Sequence, residues 1–228
     1  EMTVGGISRY MKQFGSFSRN ARFYLLSELV IGLSYSIYSL IFNLYVDSAG
    51  YSRSFLGQLQ SLPNLIALFG AIPAGMLVDR IGRKPALLIA NLGSVLAKLG
   101  IVLAPDASWL RASAIGFGVA NSLWMVSASP FMMENSTDEE RNSLFSAHFG
   151  LTTLIGFFGT LVGGYLPTLF GDMLRVDVES PQAYAGALIV TVILSVLSLL
   201  PLLFIREQRQ PVHGEAQSLL PWRNLTNP

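Results

Sequence analysis

The chain has 228 residues, of which 51% are hydrophobic and 13% are charged, and its formal net charge is +1. An average soluble domain carries about 25% charged residues, so this composition excludes a disordered chain and argues against an ordinary soluble enzyme. A net charge of +1 provides no basic face to neutralise phosphates, which excludes a nucleic-acid partner. Cysteine is absent, so there is no disulfide framework and no thiolate metal site.

Six long stretches of the chain are nearly free of charged residues. The hydrocarbon core of a bilayer is about 30 Å thick, so a membrane-spanning helix needs about 20 consecutive apolar residues. Glu28 in the first stretch and Lys98 in the third are the charged residues within them. The pattern predicts an all-α polytopic membrane protein with six transmembrane helices, over residues 23–46, 54–78, 85–105, 112–133, 142–171 and 180–205.

The basic residues are divided unequally between the two sides of these predicted helices. Eleven of the fifteen lysines and arginines lie on the side of the N-terminus, and three lie on the other side. Basic residues collect on the cytoplasmic side of membrane proteins, so we expect both termini in the cytoplasm. Residues 1–21 form a basic leader without a removable signal peptide, in which residues 7–19 are either a short interfacial helix or solvated chain.

The loop after the second predicted span combines charged residues with glycines. Residues 75–84 read Gly-Met-Leu-Val-Asp-Arg-Ile-Gly-Arg-Lys. Gly82 can adopt a positive φ and end the second span, and Pro85 suits the first turn of the third. Helix termination does not require Asp79 beside Arg80, nor a glycine seven residues before Gly82, so this segment indicates a further role.

The segment resembles the G-x-L-x-D-R-x-G-R-K signature of the major facilitator superfamily (MFS). The resemblance implies two six-helix halves, each built from two inverted three-helix repeats, so the chain corresponds to the N-terminal half. The Gly-x-Leu-x4-Gly spacing recurs at Gly164, Leu166 and Gly171 in the fifth span, where an inverted repeat of the second span belongs. The residues that match the signature are Gly75, Leu77, Asp79, Arg80, Gly82, Arg83 and Lys84.

This resemblance suggests a division of the chain and a set of partners. Residues 1–21 are the cytoplasmic leader, residues 22–205 the six-helix domain, and residues 206–228 the cytoplasmic inter-domain loop with the start of a second half. The implied partners are the lipid bilayer, a small-molecule substrate and a second six-helix half, in the same polypeptide or a separate chain. We expect an integral protein of a bacterial inner (plasma) membrane.

The implied function is secondary active transport of a small solute by alternating access, coupled to protons, with drug or metabolite efflux slightly favoured over uptake. Gly150, Gly159 and Gly163 have the spacing of an antiporter signature, but Gly164 replaces its proline, so antiport stays open. No cofactor, metal or enzymatic activity is expected, because nucleotide-loop and intramembrane-protease motifs are absent. The alternatives are a non-transporting half-length relative, acting as scaffold or regulator, and a six-span channel.

The resemblance implies that the signature loop gates the transporter. In the family, the acid and the basic residues of this loop hold the two halves together when the cytoplasmic side is closed. We expect Arg83 to pair with an acid at the end of the fourth span, for which Glu134 is the first candidate. The competitors are Asp138, Glu139 and Glu140, although a capping box formed by Thr137 and Glu140 or by Ser136 and Glu139 explains these acids as well.

Charged residues inside a membrane are unfavourable and usually need a functional or pairing reason. The family resemblance implies that Glu28 couples substrate movement to protons or binds substrate, the alternative being contact with Arg22 or interfacial water. Lys98 binds an anionic substrate, pairs with an acid, or extends to the membrane surface. The two residues differ in depth by about 11 Å on the helical rise, so we expect no direct pair.

Further polar, aromatic and methionine side chains lie within the predicted spans. The family resemblance makes the first helix a cavity-lining helix, whereas the third usually supports the bundle from outside the cavity. The candidates for lining the cavity are Tyr35, Tyr38, Asn64, Asn121, Trp124, Met125 and His148.

Overall fold

The computed structural model describes Gly15, residues 17–103 and residues 106–206. Within these residues the chain is helical and contains no β-strand, which confirms the all-α prediction. The predicted interfacial helix over residues 7–19 and the segment over residues 206–228 lie mostly outside the described residues. The helices are α1 (Arg19–Ser48), α2 (Arg53–Ile81), α3 (Arg83–Leu103), α4 (Ala107–Glu134), α5 (Asp138–Leu174), α6 (Pro181–Leu197) and α7 (Leu199–Leu203).

Five segments are long and apolar enough to cross a membrane: α1, α2, α3, α5 and the α6–α7 segment Pro181–Leu203. Helix α4 corresponds to the remaining predicted span and has 28 residues, which is more than the length a bilayer needs. Its serines, glycines and asparagine lower its hydropathy. Helices α2 and α3 both pack extensively against it, so part of this polar surface is covered by protein.

Local side-chain chemistry explains where the helices begin and end. Ser18, Ser52, Asp106, Thr137 and Ser180 each accept a hydrogen bond from a backbone N–H in the first turn of the helix that follows. Thr137 forms its capping box with Glu140, so this predicted alternative is confirmed. The other alternative does not form, because Thr137 and not Ser136 is the N-cap of α5, and the Ser136 hydroxyl donates to the carbonyl of Met132 at 2.8 Å.

Two helix ends follow from the backbone preferences of glycine and proline. Gly82 ends α2 with φ 93° and ψ 163°, a conformation that side chains strongly disfavour, as its position in the sequence predicted. Pro85 lies in the first turn of α3. The predicted sixth span is interrupted at Ser198, which separates α6 from α7. Pro201 has no N–H for the carbonyl of Leu197, which weakens the helix at this point.

The helices pack as two groups of three. Helix α1 contacts α5 and α6, and α4 contacts α2 and α3, while α3 and α6 join the groups. Exchanging α1 with α4, α2 with α5 and α3 with α6 maps these contacts onto themselves, which is the pattern expected of inverted repeats. Glycine permits close approach at both equivalent crossings: a Cβ on Gly118 would lie 2.9 Å from the Pro63 oxygen, and one on Gly159 would lie 2.6 Å from the Ser36 Cβ.

Helices α2 and α5 bury the least surface in this bundle. Only 11% of the most apolar stretch of α2 and 22% of that of α5 are buried, against 39–44% for α1, α3 and the α6–α7 segment. Their exposed faces carry large apolar side chains, such as Phe69 and Ile72 on α2 and Phe157 on α5. These faces therefore need lipid or another protein surface to cover them.

Candidate functional site

A cavity of about 490 Å³ lies between the two three-helix groups. Helices α1 and α5 line it from one group, and α3 and α4 line it from the other. Five predicted site residues contribute to its walls: Glu28, Tyr35, Lys98, Asn121 and Trp124. Both charged residues predicted inside the membrane therefore share one cavity.

Glu28 is a buried acid without a cationic partner. The residue is 5% exposed, and its Oε1 has no hydrogen-bond partner. Among the described residues no ion pair joins it to a basic group, so the alternative contact with Arg22 is not formed as a salt bridge. Tyr24 and Trp124 are neutral donors beside its carboxyl group, so a charge on this acid is balanced only by a proton or a cationic ligand.

Aromatic rings surround the acid at its level of the bundle. The ring of Tyr24, one turn before Glu28, lies 6.3 Å from that of Trp124 and 6.1 Å from that of His148 between centroids. His148 Nδ1 has no hydrogen-bond partner among the described residues, whereas the Tyr24 hydroxyl faces the Glu28 carboxyl group. His148, a predicted cavity residue on α5, therefore packs against Tyr24 and does not line the cavity.

Lys98 is a buried cation that is held by hydroxyl groups. Its Nζ donates to Ser34 Oγ on α1 at 2.8 Å and to Ser195 Oγ on α6 at 2.9 Å. The Nζ also lies 5.4 Å from the ring centroid of Tyr38. The residue is 2% exposed, so extension to the surface is wrong, and no described acid forms an ion pair with it.

Helix α6 contributes the Ser195 hydroxyl and the Thr191 carbonyl to this site, and both were missed from the sequence. Ser34 Oγ donates to the carbonyl of Thr191 at 2.7 Å and lies 2.8 Å from Ser195 Oγ. The signal was present as Thr191, Ser195 and Ser198, which repeat at helical spacing within an otherwise apolar segment.

Helix α3 contributes more to the cavity than the family resemblance implied. Asn91, Ser94 and Lys98 all line it, one turn apart along the helix. Asn91 is fully buried, and its Nδ2 donates to Ser198 Oγ at 2.7 Å while its Oδ1 has no partner. The expectation that the third helix stays outside the cavity is therefore wrong for this chain. Its i, i+3, i+7 polar spacing was the available signal.

Three other predicted cavity residues do not line the cavity. Tyr38 packs between the rings of Phe42 and Phe117, with centroids 5.1 and 5.7 Å away. Asn64 is exposed on α2 and donates to a carbonyl of its own helix. Met125 is 63% exposed, and its sulfur accepts from Asn121 Nδ2 at 3.6 Å. The periodicity of these helices did not reveal which face each residue occupies.

A second cluster lies at the end of the bundle that carries the α2–α3 loop, here called the motif end. Arg83 Nη1 lies 2.8 Å from Asp79 Oδ1, and Arg83 Nε lies 3.3 Å from Glu134 Oε1. The expected Arg83–Glu134 pair is thus present, linking α3 to α4. The competing acids are used locally: Asp138 pairs with Arg141 at 2.9 Å, and Glu140 belongs to the capping box.

Other motif residues organise the same end. Lys84 Nζ donates to the carbonyls of Leu203 and Ile205 at 3.0 and 2.6 Å, so a cation meets the C-terminal carbonyls of α7. This contact joins the two three-helix groups. Arg80 is exposed in the last turn of α2, and Gly75 lies in α2 with no atom within 4 Å of an added Cβ.

Two comparisons place the chain among known proteins. A family model described as the Major Facilitator Superfamily matches residues 24–228. The efflux pump azaK of Aspergillus niger strain ATCC 1015 is 28% identical over 186 residues, which cover 78% of this chain and 37% of the pump. The chain thus spans little more than a third of the length of this relative. Because the family model covers nearly all of the chain, the chain belongs to the Major Facilitator Superfamily of integral membrane transporters.

Proposed function

We propose that the chain is one six-helix half of a secondary active transporter that moves a small solute by alternating access. The observation that carries this proposal is the cavity between the two three-helix groups, whose wall includes the unpaired acid Glu28. A cavity that holds ionisable side chains between helical repeats, within membrane-spanning segments, is the usual place for a transport site.

Proton coupling through Glu28 is the finer part of the proposal. Glu28 is the only carboxylate among the residues that line the cavity. A buried carboxylate is strongly disfavoured when it is charged and unpaired, so Glu28 must hold a proton or a cationic partner. Exchange of one for the other links solute binding to proton movement. The efflux direction is supported only by the name of the efflux pump among the relatives.

The gate is assigned to the motif end. Arg83 bridges Asp79 and Glu134 within one three-helix group, and Lys84 reaches the other group. We assign this end to the cytoplasm because most basic residues lie on this side. A second six-helix half is the proposed partner for part of the exposed apolar faces of α2 and α5, and lipid covers the remainder.

The test reconstitutes the native full-length gene product in proteoliposomes that contain a pH-sensitive dye. Candidate solutes are added with and without a proton gradient, and proton and solute movements are recorded. In the Glu28→Gln variant we expect coupled proton movement to be abolished. Glu179→Gln is the matched control, because Glu179 is exposed in the loop between α5 and α6, and it should behave as the wild type.

Two outcomes contradict this proposal in different parts. Solute accumulation that is indifferent to the proton gradient and unchanged in Glu28→Gln rules out coupling through this acid. Solute movement that never exceeds the external concentration under any ion gradient supports the channel alternative. Absence of solute movement, with a correctly folded protein and all candidate solutes, supports the scaffold or regulator alternative.

A further inference from the structure

The two ends of the cavity present opposite charges. Glu28 and Ser34, which binds the Lys98 ammonium, are six residues apart on α1 and lie about 9 Å apart along its axis. Glu28 has no described cationic partner and Lys98 has no described anionic partner. An opposite pair that is too distant to neutralise itself leaves both charges available to one ligand.

The acidic end is arranged to accept hydrogen bonds. Glu28 Oε1 and Asn91 Oδ1 are buried acceptors without partners, on α1 and α3. Asn91 is oriented by the donation of its Nδ2 to Ser198 Oγ, which leaves its Oδ1 as an unused buried acceptor in a residue of the cavity wall. Unsatisfied buried acceptors are rare in native proteins, and an ammonium group supplies several donors at once.

The basic end of the cavity, at Lys98, is arranged to donate a hydrogen bond. An ammonium group has three N–H donors, and Lys98 uses two of them for Ser34 and Ser195. These hydroxyls, and the Tyr38 ring whose centroid is 5.4 Å from the Nζ, are neutral, so they orient the ammonium without cancelling its charge. Lys98 belongs to the cavity wall. Its third N–H and its positive charge both favour a carboxylate as the acceptor.

We propose that this cavity binds a solute that carries both an ammonium group and a carboxylate, with the ammonium at Glu28 and Asn91 and the carboxylate at Lys98. Ser94 lies between Asn91 and Lys98 on the same face of α3 and contacts the linking segment. The spacing favours an amino acid whose two charged groups are separated by several bonds. The inference rests on the proposed function, because it treats this cavity as the solute site.

The experiment measures binding to the purified full-length gene product by titration calorimetry, without a membrane gradient. The probes are 6-aminohexanoate, hexylamine and hexanoate, which share one carbon chain and differ in their charged ends, with shorter ω-amino acids as a length series. We expect 6-aminohexanoate or a shorter member to bind about tenfold or more tightly than its matched amine or acid, because each end adds a charge-assisted hydrogen bond.

Variants assign the two ends. Lys98→Met is expected to weaken amino-acid binding about tenfold or more and to leave amine binding unchanged. Glu28→Gln is expected to weaken binding of the amino acid and the amine, and Glu179→Gln should change neither. If Lys98→Met does not fold, the comparison of ligands on the wild-type protein still decides the proposal.

An amine that binds as tightly as the amino acid of equal length overturns the proposal, as does a lack of measurable binding across the amino-acid series. These results are distinct from a failure of the transport function. A protein that binds amino acids selectively but moves no solute contradicts transport alone. A protein that couples solute to protons but does not distinguish amine from amino acid contradicts only this inference.

Discussion

Charged side chains are paired at the motif end and unpaired in the cavity. At the motif end, Arg83 contacts both Asp79 and Glu134, and the side chains remain 25%, 70% and 35% exposed. In the cavity, Glu28 and Lys98 are almost completely buried, and neither has a described partner of opposite charge. Charges are therefore paired where solvent already stabilises them and left unpaired where pairing would matter most.

The difference between exposed ion pairs and buried unpaired charges distinguishes reversible contacts from charges kept for binding. An exposed ion pair contributes little to stability, typically below about 1 kcal/mol, so its presence at helix ends suits a contact that breaks and reforms. A buried unpaired charge is costly, and a fold keeps it only where another requirement outweighs that cost. The hydroxyls around Lys98 reduce the cost without neutralising the charge that a ligand would meet.

The largest effect on stability is expected at the hydroxyls that hold Lys98. Ser34→Ala removes an acceptor of the Lys98 ammonium and a donor to the carbonyl of Thr191. Hydrogen bonds to charged groups contribute about 1.5–3 kcal/mol, so we expect the free energy of unfolding to fall by about 2–3 kcal/mol. Denaturant titration of the detergent-solubilised protein measures it.

Ser39→Ala is the matched control on the same helix. Ser39 is exposed, and its hydroxyl donates only to the carbonyl of Ser36 at 3.0 Å. Its loss should change the free energy of unfolding by no more than about 0.5 kcal/mol. Equal effects of Ser34→Ala and Ser39→Ala would show that the Lys98 network is not a stabilising element, and the contrast between the two regions would fail.

A smaller effect is expected from the backbone of the motif end. Gly82→Ala places a side chain at φ 93°, in a region that costs about 1–3 kcal/mol for residues other than glycine. We expect a loss of about 2 kcal/mol in the free energy of unfolding, independent of the charges beside it. Increased stability in this variant would mean that the helix continues through the α2–α3 loop.

Gly75→Ala tests the same substitution elsewhere in the motif. Gly75 is helical, and an added Cβ meets no atom within 4 Å. Alanine is favoured over glycine in a helix by about 1 kcal/mol, so the expected change has the opposite sign to that of Gly82→Ala. Any loss of transport in a stable Gly75→Ala protein would then reflect contact with a surface outside this chain.

The sequence was most informative where local rules apply. The predicted second span, residues 54–78, lies within α2, and Gly82 ends that helix as expected. The Arg83–Glu134 contact followed from the motif because both residues lie at helix ends that the topology brings to one side. Helix α5 is longer than its predicted span because the capping box starts it at Asp138.

The cavity was harder to predict because it depends on how each helix is rotated about its own axis. Asn64 and Met125 have suitable side chains but occupy exposed faces. Asn91 and Ser195 seemed unremarkable in sequence, yet they lie opposite Ser198 and Lys98 in the packed bundle. Their helical spacing shows only that the polar residues of each helix share a face, whereas tertiary packing decides which faces meet.

The smallest effect on stability, and the sharpest test of the comparison, is expected at Asp79. Asp79→Asn removes one exposed ion pair and leaves Arg83 its contact with Glu134, so the free energy of unfolding should change by no more than about 0.5 kcal/mol.

The gate at the motif end should nevertheless weaken in Asp79→Asn. The chain contains no cysteine, so a single cysteine introduced at Ser136 reports access to the motif end, and its labelling rate should rise. Asp138→Asn, which breaks a more exposed pair with Arg141 within α5, should leave labelling unchanged. Unaltered labelling and transport in Asp79→Asn would mean that this pair is a solvated surface contact without a gating role.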